Sequence, residues 1–162
     1  MVTDTDRDFI PAGRNFVRSD TGELTRNWLK GYQIIDTDRT QAVHGWVGGE
    51  SLRLKQTSFE MTTPKAAVAV SSLDGEAIGK SQKILISAVA RAVPSSGGRM
   101  PMLSEPVEGR IQIAGPRGLK LIPLTGDASR LRALKAEYDD GKYSVELPAQ
   151  SGTHWFLLAA DD

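Results

Sequence analysis

Alternation of apolar and polar residues at every second position, in short runs cut apart by turn residues, constrains this chain more than any other feature. "YQIID", "QAVHGWV", "SLRLKQ", "SFEMTT", "KAAVAVSS", "KILISAVAR", "EGRIQIA", "GLKLIPL", "KYSVELP" and "THWFLLAA" each read as a strand of five to nine residues, rich in β-branched or aromatic side chains. Sixteen Gly and eight Pro punctuate the chain, and "LDG" at 73–75 and "DDG" at 139–141 supply residues that tolerate the left-handed backbone of tight turns. Some ten short strands with no helices between them point to an antiparallel sandwich or barrel and away from βαβ units. At 162 residues the chain has the length of one domain, enough to bury a core without covalent staples.

Three stretches depart from the pattern. In "DASRLRALKAEY", Leu131, Leu134 and Tyr138 fall at i, i+3 and i+7, with Asp127 or Ser129 available as N-cap. A short helix and a loop running into a strand are both compatible with that spacing. Residues 1–22 show little periodicity and are expected to form an extended arm or linker ahead of a β-domain spanning 23–162. "VPSSGGRMPML" at 93–103 reads as a long, mobile connection. The two central strands carry a further signal. In "KAAVAVSS" and "KILISAVAR" both alternate sets are apolar, whereas a sandwich strand ordinarily keeps one polar, wet set. Their outer side is therefore expected to be covered, by loops of the chain, a partner subunit or a second domain.

Composition removes several classes of function. Twenty basic residues balance twenty acidic ones and form no basic run, which argues against a nucleic-acid or anionic-membrane footprint. With no Cys there is no disulfide, thiolate metal site or Cys nucleophile. The longest apolar run, "ILISAVA", is strand-sized and far short of a membrane span. "MVTDTDRDFI" is acidic and polar, unlike a signal peptide. No phosphate-cradling GxGxxG or GxxxxGK[ST], no HExxH and no GxSxG elbow occurs. His44 and His154 lie on aromatic-rich strands, where a packed, hydrogen-bonded His is commoner than a ligand. Glu105 and Glu108 in "EPVEG" sit three residues apart in extended chain, hence on opposite faces and roughly 10 Å apart. Retaining glycosidases hold their carboxyl groups about 5–5.5 Å apart on one cleft, so this pair does not fit that chemistry.

What remains is aromatic and acidic. Aromatic faces stack on the C–H face of a pyranose. Trp46 and Trp155 stand in strongly apolar strands and are expected to be buried, with His44 packed beside Trp46. Trp28 in "TRNWLKGY" has polar neighbours and a following Gly, so it is the leading candidate for an exposed stacking ring, with Tyr32 second and Tyr143 after it. Asn27, Gln33, Asp36 and Arg39 would hydrogen-bond sugar hydroxyls around it. Asp36 and Asp38 in "IIDTDRT" have spacing that can feed oxygen ligands to a structural Ca²⁺, although the complete 12-residue calcium loop is absent. The same residues also suit ordinary Asx and ST turns. No other cofactor is expected.

"SDTGEL", "IDTDRTQAVHGWVGG", "AAVAVSSLDGEAIGKSQKILISAVAR" and "SEPVEGRI" together resemble the β-sandwich module that follows the TIM-barrel catalytic domain in some bacterial glycoside hydrolases. The likeness covers about residues 19–113, with a looser tail to "HWFLL". Asp38 stands where the family's turn usually has Pro. These motifs are turns and core strands, so the resemblance carries no catalytic residue. It implies a two-sheet antiparallel β-sandwich, jelly-roll or immunoglobulin-like. It further implies a non-catalytic accessory module of a secreted (extracellular or periplasmic) polysaccharide-degrading enzyme. Its partners would be a polysaccharide or oligosaccharide and the catalytic barrel of the same polypeptide. The alternative is a structural module that docks on the barrel and stabilises it without touching substrate.

Overall fold

The computed structural model describes residues 13–95, 99–148 and 152–160. Their architecture is all-β and sandwich-like: two antiparallel sheets enclose the main core, Ile122, Leu157 and Ala159 form a second small buried cluster, and a short 3₁₀ turn at Ile78–Lys80 is the only helical element among the described residues. The strands are β1 (Phe16–Arg18), β2 (Leu24–Asn27), β3 (Tyr32–Asp36), β4 (Thr40–Trp46) and β5 (Ser51–Arg53). There follow β6 (Thr57–Met61), β7 (Lys65–Ser72), β8 (Lys83–Val89), β9 (Ala92–Ser95) and β10 (Arg99–Ser104). The last five are β11 (Gly109–Ala114), β12 (Lys120–Leu124), β13 (Glu137–Asp139), β14 (Lys142–Leu147) and β15 (Trp155–Ala159). The larger sheet has eight strands in the order β1-β2-β3-β4-β7-β8-β15-β12, and the smaller has five in the order β13-β14-β11-β6-β5. β9 and β10 pair only with each other.

One alternate set of each strand builds the core. Val43 of β4, Val68 and Val70 of β7, Ile84 and Ile86 of β8 and Phe156 and Leu158 of β15 come from the larger sheet. Phe59 of β6, Ile111 and Ile113 of β11 and Tyr143 and Val145 of β14 come from the smaller. Each such side chain contributes about 1.5–3 kcal/mol on leaving water. Two polar groups enter this interior with their bonds made. Gln41 is fully buried: its Oε1 accepts from Gln56 N–H and Thr57 Oγ1, and its Nε2 donates to Asp36 Oδ1 and Thr37 O. The Tyr143 hydroxyl accepts from Leu119 N–H at 2.8 Å and donates to Pro116 O at 2.7 Å, tying the β11–β12 loop to β14.

The connection from β7 to β8 is organised by Asp74. Its carboxylate accepts from Ser72 Oγ and from the N–H groups of Glu76 and Gln82. Burial alone would raise its pKa, but hydrogen bonds from Ser72, Ser81 and those two amides prevail and hold it down at about 2.

Two expectations are corrected, and one open alternative is decided. Within the expected 1–22 arm, Phe16–Arg18 is a strand on the edge of the larger sheet, paired with β2; residues 1–12 lie outside the described residues. The connection expected at 93–103 is a β-hairpin, in which Val93 pairs with Leu103 and Ala92 with Ser104; residues 96–98 lie outside the described residues. In 127–138 the loop-into-strand alternative holds. Asp127 accepts from Ser129 N–H and Ala128 adopts a φ of 64°, which stops a helix from starting. Bridges from Arg130 to Leu124 and from Leu134 to Leu121 then lead the chain into β13.

Candidate functional site

The second alternate set of the larger sheet faces outward and, read across the ladder, forms rows. Leu24, Ile35, Ala42, Ala69, Ser87, Trp155 and Leu124 are successive partners from β2 to β12. Arg26, Gln33, His44, Ala67 and Val89 form the next row, on the same face. The doubly apolar character of β7 and β8 is thus real. Their outward residues are mostly small, and Val89 is exposed.

This face overturns the expected placement of the aromatics. His44 and Trp46 are on the outward set of β4, opposite the buried Gln41, Val43 and Gly45; both are exposed, Trp46 at 58%. Trp155 also faces outward and is 39% exposed, because Phe156 and Leu158 take the core side of β15. Tyr32 is the converse: it is 9% exposed and belongs to the core, so it offers no ring to a ligand. Tyr143 is buried as well. Gly31 makes room for Trp46. With φ at 73° it lies so close that a Cβ there would meet Trp46 Cδ1 at 2.7 Å. Gly45, at φ 108°, lies against the backbone of the same turn, where a Cβ would meet Gly31 O at 2.3 Å.

The residues named from the sequence divide between the two ends of β3. At one end Trp28 is 44% exposed, with the Arg26 guanidinium 3.2 Å from its ring centroid, so one face is already covered. Asn27 spends its amide locally, donating to Tyr32 Oη and accepting from Lys30 N–H. Gln33 is exposed on the outward face beside His44. At the other end lie Asp36, Asp38 and Arg39, roughly 13 Å away along the strand. Asp36 Oδ1 accepts from Gln41 and from Lys55 N–H, and Asp38 forms an exposed ion pair with Lys55 at 3.1 Å. The hydrogen bond that Lys55 donates to Asp38 raises the Lys55 pKa. Among the described residues no three His, Asp or Glu side chains gather as a metal site. Arg39 is exposed in the β3–β4 turn. These seven residues do not converge on one ligand.

A different set does converge. A groove of about 600 Å³ opens on the outward face beside Trp46 and His44, floored by Ala67 and Val89 and edged by Lys65, Arg91 and Glu105. The Lys65 ammonium stands 5.8 Å from the Trp46 ring centroid. Arg91 and Glu105 are brought together at the base of the β9–β10 hairpin, where Glu105 N–H donates to Arg91 O and their side chains pair at 3.5 Å. Glu108 is elsewhere, its backbone bonded to Thr62 and Thr63. The sequence held one signal for this groove: Trp46 shares its alternate set with Thr40 and His44, a half-polar set facing away from Val43 and Val47. Arg91 and Glu105 meet only through the hairpin, where the sequence points to a long, mobile connection. No family model, curated protein or solved structure matches this chain.

Proposed function

We propose that this chain is a non-catalytic carbohydrate-binding module of a secreted polysaccharide-degrading glycoside hydrolase, working beside a catalytic barrel in the same polypeptide. Its sugar site is the groove at Trp46. The observation that carries this reading is a Trp ring 58% exposed at the edge of a groove of about 600 Å³, among side chains that donate and accept hydrogen bonds. An aromatic face for the sugar C–H surface and polar groups for its hydroxyls are what a sugar site requires. The small residues Ala42, Ala67 and Ala69 let a flat chain approach the sheet. Affinity electrophoresis and calorimetry against a panel of plant and bacterial polysaccharides test it. Binding of at least one polymer is expected, weakened at least tenfold by Trp46→Ala and left unchanged by Trp28→Ala. Equal binding by wild type and Trp46→Ala contradicts the site, and no binding to any polymer contradicts the reading.

One observation favours the structural alternative. The β9–β10 hairpin pairs with neither sheet and exposes Val93, Met100, Met102 and Leu103. Met102 and Leu103 are adjacent and point to opposite faces, so both faces of the hairpin are bare. Bare apolar surface of this kind suits docking on a neighbouring domain. On that reading Met102→Lys with Leu103→Lys abolishes any self-association of the chain in sedimentation velocity and leaves polysaccharide binding intact.

A further inference from the structure

We propose that the groove at Trp46 selects acidic polysaccharides, those whose sugars carry a uronate carboxylate, over neutral ones; this rests on the carbohydrate-binding reading above. The whole chain is charge-balanced, with twenty basic and twenty acidic residues, so cations at the groove are not the overflow of a basic protein. Around the groove stand Lys65 and Arg91 against a single carboxylate, Glu105. Glu105 is taken up by Arg91 at 3.5 Å. Lys65 has no carboxylate partner among the described residues; its ammonium is held near the Trp46 ring instead. A sugar stacked on the open side of Trp46 therefore meets an uncompensated ammonium 5.8 Å from the ring centroid.

Lys65 and Trp46 are direct partners in the β4–β7 ladder, so the charge and the stacking surface keep a fixed relation. Lys65 on β7 and Arg91 just past the end of β8 lie on adjacent strands, each two residues beyond the Ala67–Val89 pair, so the two cation-bearing chain segments are about one strand spacing, roughly 5 Å, apart. Two cations placed this close address one short stretch of a bound polymer, next to the ring on which its sugar stacks. The Arg91–Glu105 pair is itself a guanidinium meeting a carboxylate, largely in solvent. A uronate can take the place of Glu105 there, since Arg and carboxylate match as planar groups. A neutral sugar at the same place gains hydrogen bonds but no charge assistance.

The experiment uses the full chain in calorimetry at low salt. The probes are polygalacturonate, its carboxyl-reduced neutral counterpart, a neutral xylan and a sulfated dextran. The expected result is binding to polygalacturonate at least tenfold tighter than to its reduced counterpart. That binding should weaken about tenfold in Lys65→Gln or Arg91→Gln and fall as NaCl is raised, with the variants' melting temperatures close to wild type. Equal binding of the reduced polymer or xylan, still sensitive to Trp46→Ala, overturns the acid selectivity while the carbohydrate reading stands. Tighter binding of sulfated dextran overturns the choice of uronate. Unaltered binding in Lys65→Gln and Arg91→Gln overturns the role of these cations. Failure of every polymer to bind overturns both readings.

Discussion

At the scale of single residues, the position of Trp46 depends on two glycines that have no freedom to change. Gly31 and Gly45 both have positive φ, and each would drive a Cβ into the other's surroundings, the Trp46 ring in one case and Gly31 O in the other. Gly45→Ala is expected to destabilise the fold by roughly 1–3 kcal/mol, because backbone, not a mobile side chain, stands in the way. Gly31→Ala should cost about 1–2 kcal/mol and displace the Trp46 ring, seen in chemical denaturation together with a shift in Trp fluorescence. Tyr143→Phe removes one hydroxyl and leaves Leu119 N–H and Pro116 O without it in a buried place. A loss of about 1–3 kcal/mol is expected in urea unfolding, with the β11–β12 loop the first amides to lose hydrogen-exchange protection.

Elements show most plainly what the sequence could tell. Alternation places the ten strands read from it because half-buried strands write their burial at every second residue, and the protein has a strand at each of those places. Alternation does not say which set is inside when both are mixed. In β4 the inward set includes Gln41 and the outward set includes Trp46, so residue polarity points the wrong way; the four hydrogen bonds of Gln41 decide the matter, two accepted from Gln56 and Thr57 at the start of β6 and two donated to Asp36 and Thr37 at the end of β3. Tyr32 was misplaced for the same reason. The hairpin at β9–β10 was missed because Gly97, Gly98 and Pro101 read as loop residues. At the β7–β8 connection, the Asp74 carboxylate has a folded pKa of about 2 against an ordinary 3.8. A lowered pKa means its stabilisation is complete above the unfolded value and disappears as pH falls from about 4 towards 2. Wild type is therefore expected to lose melting temperature over that window. Asp74→Ala should be less stable at pH 7 and flatter between pH 4 and 2 in thermal scans followed by circular dichroism.

Across the whole molecule, the two sheets are unequal in what they offer. The five-stranded sheet contributes a core face and an outer set of polar and charged residues such as Glu60, Arg110, Gln112 and Glu146. The eight-stranded sheet carries instead a broad outward face of small and apolar residues, with Trp46 and Trp155 exposed upon it. The sandwich itself was legible in the sequence. The candidate surface was legible only in part, in the doubly apolar β7 and β8 and the half-polar outward set of β4, since its residues come from β4, β7, β8 and the base of a hairpin distant in sequence. We propose that sugar binds on this face at Trp46. Amide shift mapping of the isotopically labelled chain, titrated with neutral and acidic oligosaccharides, tests it most directly. The account predicts shifts concentrated at His44–Trp46, Lys65–Ala67 and Val89–Arg91; shifts confined to residues 27–39 or to the β9–β10 hairpin, or no shifts with any oligosaccharide, would contradict it.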